Sequence, residues 1–156
     1  MLNRLFPREV DKRFEGHRAA LWLLGLFVAV KVPMSLNSIF NTAAVAAGAD
    51  GMPLDRFGPA GARAVLMLFA LMALGQLALA IVALAALVRW RSLVPFLFLV
   101  LLSEQLARRF IVASYEVERT GAASFGWYLN MGIVAALALG LVLSLIPTRR
   151  SKEQER

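Results

Sequence analysis

The chain has 156 residues, 60% of them apolar and 17% charged, with a mean hydropathy of +0.69 and a formal charge of +7. Soluble domains average about 45–50% apolar and about 25% charged residues, so this composition points away from one. The absence of cysteine excludes disulfides, thiolate metal sites and iron–sulfur clusters, and a single histidine, His17, excludes a multi-histidine metal centre within one chain. The apolar content also excludes a disordered chain. A small integral membrane protein remains.

In chain order, a leader of residues 1–18 comes first. Leu2, Phe6, Val10 and Phe14 recur at i+4 with Arg4, Arg8, Lys12 and Arg13 between them. That pattern fits a short amphipathic helix on an anionic leaflet, or equally a solvated basic leader, and Pro7 interrupts any long helix. Four apolar runs follow, at 19–40, 64–88, 93–112 and 127–146. Each reaches the roughly 20 helical residues needed to span about 30 Å of hydrocarbon. The expected fold is therefore an all-α integral membrane protein, a four-helix transmembrane bundle forming one domain. Cleavage of the first run as a signal peptide is disfavoured, because the AVA sequence at 44–46 lies well beyond the apolar core. The connection 41–63 is rich in turn residues, and Pro59 suits the first turn of an incoming helix. Between the second and third runs stand only a few residues (RWRS), so these two helices are expected to be antiparallel neighbours. The connection 113–126 carries Glu116 and Glu118, and the tail 147–156 is basic.

Basic residues set the expected orientation. Arg4, Arg8, Lys12, Arg13, Arg18, Arg89, Arg91, Arg149, Arg150, Lys152 and Arg156 fall on one side, against Arg56, Arg63 and Arg119 on the other. The positive-inside rule then places both termini in the cytoplasm, with a bacterial-type inner membrane as the expected location. Trp22 and Trp90 near one boundary and Trp127 with Tyr128 near the other read as aromatic belts. These charges are distributed along the loops and form no binding module, so nucleic acid is not an expected partner. The lipid bilayer is.

Polar residues inside the apolar runs carry the functional information. At about 1.5 Å per residue, Lys31, Gln76 and Glu104 lie roughly 17–18 Å from the cytoplasmic ends of their helices, with Arg108 and Asn130 about one turn further out. Lys31, Ser35, Ser38 and Thr42 form a stripe on the first helix, and Glu104 and Arg108 are an i, i+4 pair on the third. The expected arrangement is a polar cluster of Lys31, Gln76, Glu104, Arg108 and Asn130 in the outer half. Arg109, about 100° round the helix from Arg108 and near the outer end, either joins this positive group or snorkels to the interface. Pro33 and Pro95 read as kinks. Gly132, Ala136, Gly140 and Ser144 repeat every four residues on the last helix, a small-residue ridge for close helix packing or for contact with a second copy.

Three functions fit this pattern. In the first, Lys31, Arg108 and Arg109 against Glu104 leave a positive surplus that binds or passes an anionic small molecule or lipid headgroup. In the second, the cluster is interhelical glue in a non-catalytic subunit of a larger membrane complex, where each contact is worth about 0.6 kcal/mol. In the third, a membrane enzyme or redox subunit uses Glu104 and Arg108 on a lipid or quinone. The sequence holds no phosphate loop, HExxH or GxSxG motif, and Asp50 with Asp55 is too sparse for a cation site. No cofactor or metal is therefore expected, and catalysis is the weaker reading. A homo-oligomer or a membrane partner protein would help four helices to enclose a path.

Overall fold

A computed structural model describes residues 5–7, 9–115 and 124–147. The sequence readings placed on Leu2, Arg4, Arg8, Glu116, Glu118, Arg119 and the tail from 148 onward lie outside the described residues. The chain is all-helical there: α1 (Arg18–Phe40), α2 (Thr42–Gly48), α3 (Pro59–Arg89), α4 (Val94–Ser114) and α5 (Ser124–Leu145), with 3-10 turns at Leu54–Arg56 and Arg91–Leu93. Among the described residues, three helices are long and apolar enough to cross a membrane, at Arg18–Phe40, Pro59–Arg89 and Gly126–Leu145. The 21 residues of α4 include Glu104, Arg108 and Arg109, which lower its apolar character.

Local chemistry sets the helix ends. His17 caps α1, its Nδ1 accepting from the Ala19 amide at 3.2 Å. Pro33 is carried inside α1. That helix stops at Asn41, whose side-chain amide donates to Asn37 Oδ1 at 2.8 Å. The next residues, TAAVAAG, form α2 instead of the plain loop expected over 41–63, as their alanine content favours. Pro59 opens α3, five residues before the expected start at Ala64, because a proline in the first turn needs no amide donor.

The long helices alternate in direction. One end is marked by the leader, the Arg91–Leu93 turn and the last residues of α5. The other, the distal end, is marked by Asp50, the start of α3 and Gly126. Helix α1 packs along both α3 and α5, and α4 packs along α5. By contrast, α3 and α4 touch mainly around their short connection. They are antiparallel neighbours, but they pack less closely than those other pairs, and a seam runs between them.

The apolar core occupies the leader half. Ala20, Leu24, Phe27 and Val28 of α1 meet Ala83 of α3, Phe98 and Leu101 of α4, and Ile133 and Leu137 of α5. Gly140 makes this packing close, since a Cβ there would run into the ring of Phe98. The second half of the leader closes that end as a strap. Residues 9–17 are non-helical. Asp11 and Ser92 exchange backbone and hydroxyl hydrogen bonds, including Asp11 N to Ser92 Oγ at 3.0 Å, and the His17 amide donates to Leu143 O at 3.0 Å. Phe6 lies against Phe96 with ring centres 5.6 Å apart, and Gly16 has room for no side chain against the Ser144 carbonyl. Hydrogen bonds to neighbouring elements thus satisfy backbone that a helix would have satisfied internally.

The small-residue ridge of α5 is split. Gly140 and Ser144 are buried inside the chain, whereas Gly132 faces outward into open space. A step of four residues advances about 400°, so the ridge drifts around the helix and cannot face one partner throughout.

Candidate functional site

Beyond Val28 the interior changes from apolar to polar. Four side chains from three helices form a hydrogen-bonded relay. Lys31 on α1, only 4% exposed, donates from Nζ to Gln76 Oε1 at 3.1 Å. Gln76 on α3 donates from Nε2 to Glu104 Oε1 on α4 at 2.8 Å. Arg108, one turn beyond Glu104, donates to the same oxygen from Nε at 3.2 Å and from Nη2 at 2.8 Å. The equal depths counted along three helices are here joined by direct hydrogen bonds.

The amide of Gln76 suits this position because it offers an acceptor to an ammonium and a donor to a carboxylate at once. Glu104 is used unevenly. Its Oε1 takes three donors, whereas its Oε2 is buried without a hydrogen-bond partner. Such an atom inside a protein forfeits hydration without replacement.

The relay borders open space. A cavity of about 280 Å³ lies at the distal end between α1, α3 and α5, with Lys31, Ser35, Ser38, Gln76, Arg108 and Asn130 in its wall. Asn130 belongs to this wall but not to the relay, since its amide donates to Gly126 O of its own helix at 2.9 Å. A second cavity of about 370 Å³ lies toward the seam between α3 and α4 and is lined in part by Gln105, Arg108, Arg109 and Trp127. Asp50, Phe69, Met72, Arg108, Gly126 and Asn130 are common to both walls, so the two spaces adjoin.

Arg109 takes the inner of its two readings, and Asp50 takes a place that the sequence did not indicate. Arg109 lines the second cavity. Its guanidinium carbon stands 6.0 Å from the centre of the Trp127 ring, and its Nε is buried without a hydrogen-bond partner. It lies one turn after the buried Gln105, on the stripe that α4 turns toward α5. Asp50 reaches both cavities because α2 folds the chain back over the distal end. Its carboxylate lowers the positive surplus counted from Lys31, Arg108, Arg109 and Glu104. The alanine-rich run 42–48 was the available signal for that return. Ser35 and Ser38, already on the stripe of Lys31, face the same cavity.

The chain matches no family model, no curated protein and no solved structure. The site therefore rests on its own geometry. Chemically it offers three cations, two carboxylates and several neutral hydrogen-bonding groups around connected space, an arrangement that can hold a polar group carrying negative charge.

Proposed function

We propose that this chain is a multi-pass inner-membrane protein, a four-helix transmembrane bundle with both termini in the cytoplasm, that binds the anionic group of a small molecule or lipid in its outer half. Its partners are the bilayer and that ligand. In this reading α4 is the fourth span, and its charges are tolerated because they face neighbouring helices and the cavity. Outward-facing Trp22 at the leader end, with Trp127 and Tyr128 at the distal end, suits aromatic belts at two interfaces. The many outward leucine, valine and methionine side chains of α3 suit lipid contact.

One observation carries the ligand reading: the relay borders a cavity instead of being sealed in packed side chains. Interhelical glue needs only mutual hydrogen bonds, and Gln76 supplies those. It does not need adjoining space. The subunit reading keeps one point in its favour, that both ends of the Gln76 amide are used within the chain.

The test is the thermal midpoint of the protein purified in a maltoside detergent. Dihexanoyl phosphatidylglycerol is added in one series and dihexanoyl phosphatidylcholine in the other. The anionic lipid raises the midpoint and the zwitterionic one does not, since a ligand that binds only the folded state stabilises it. Lys31→Met and Arg108→Gln each weaken the effect about tenfold in apparent affinity, equivalent to about 1.4 kcal/mol. Equal responses to both lipids would contradict the proposal.

A further inference from the structure

We infer that the ligand is a membrane phosphodiester lipid with a hydroxyl-bearing headgroup, seated from the side through the seam between α3 and α4. This deepens the anion-site reading and rests on it. The phosphate belongs in the outer cavity at Arg109. Arg108 already gives two donors to Glu104, whereas the buried Nε of Arg109 has no acceptor. A phosphate oxygen is the acceptor type that a guanidinium fork fits best.

Charge selects the phosphate type. Lys31, Arg108 and Arg109 stand against Asp50 and Glu104 around the two cavities and the relay, which leaves one positive charge. A phosphodiester carries one negative charge and matches it. A phosphomonoester carries about −1.5 to −2 at neutral pH and exceeds that single positive charge.

The deeper cavity then receives the headgroup. Ser35 and Ser38 supply hydroxyls that both donate and accept, and the Asp50 carboxylate accepts only. Hydroxyls satisfy such a wall. A quaternary ammonium cannot donate to it.

The seam supplies the route. The outer cavity lies where α3 and α4 separate, with Phe69 and Met72 on one flank and Val112 on the other. Met72 and Val112 are 42% and 40% exposed, so the flanks continue onto the outward apolar surface where acyl chains lie.

The experiment uses the full chain with Trp22→Phe and Trp90→Phe, leaving Trp127 under Arg109 as the sole fluorescent reporter among the three tryptophans. Three probes are titrated in detergent: dihexanoyl phosphatidylglycerol, dihexanoyl phosphatidic acid, and deacylated glycerophosphoglycerol. The phosphoglycerol lipid is expected to bind at least tenfold more tightly than either of the others, and Arg109→Gln to weaken it at least tenfold. Equal binding of the phosphomonoester lipid would overturn the headgroup assignment while leaving the anion site standing. Equal binding of the deacylated probe would overturn seating through the seam. If no anionic probe binds, the anion site falls, and this inference with it.

Discussion

At the scale of single residues, Gly140 and Gly132 make a matched pair on one helix. A methyl group at Gly140 would enter the ring of Phe98, a fully buried core residue, whereas at Gly132 it meets nothing. Gly140→Ala is expected to lower stability in detergent by about 1–3 kcal/mol, the usual cost of overpacking. Gly132→Ala is expected to change it by less than about 0.5 kcal/mol or to raise it slightly through helix propensity. Equal losses at both positions in chemical unfolding would mean that α4 and α5 do not meet at Phe98. Legibility at this scale depended on what fixes a side chain. Lys31, Gln76, Glu104 and Arg108 could be brought together from sequence because the rise of a helix is constant and only one coordinate, depth, had to agree. Arg109 could not be placed, because its environment depends on how α4 is rotated against α5. Asp50 could not be placed either, because it follows a chain reversal that no apolar run encodes.

At the scale of elements, long apolar runs were the readable part. They needed only length and composition, and α1, α3 and α5 span the lengths that a bilayer requires. The ends and connections were harder. Helix α2 is short and its stability comes from docking, so periodicity gives little sign of it. Residues 9–17 of the leader are non-helical and run across the bases of α4 and α5, tied by Asp11 to Ser92 and by His17 to Leu143. Those ties are tertiary hydrogen bonds, which no local pattern encodes. The short RWRS connection holds α3 and α4 together at their joined ends, yet the two helices make few contacts. Beyond that point α5 packs along α4, α1 packs along α3, and the gap between them is bridged by Gln76 and Glu104. That gap houses the second cavity, so the loose pairing of α3 with α4 and the candidate site share one cause.

At the scale of the whole molecule, the halves differ in kind. The leader half is filled by leucine, phenylalanine, valine and alanine, and the distal half holds the relay and both cavities. Orientation then decides which compartment or leaflet the site faces. Because the chain has no cysteine, single cysteines report this directly. In intact cells a membrane-impermeant maleimide is expected to label Arg56→Cys but to reach Arg91→Cys only after lysis. The reverse pattern would invert the bundle and place the cavities toward the cytoplasm. The central claim is that the polar groups serve a ligand and are not there to hold the helices together. Its most direct test is a double-mutant cycle on Lys31→Met and Glu104→Gln, read as unfolding free energy in detergent without added lipid. Lys31 is a buried cation whose hydrogen-bond partner is a neutral amide, so its removal should leave stability unchanged or raise it. Glu104→Gln should change stability by less than about 1 kcal/mol, and the coupling should stay below about 0.5 kcal/mol. Loss of more than about 1 kcal/mol in each single variant, largely recovered in the double, would instead make the relay a structural tie and contradict the account.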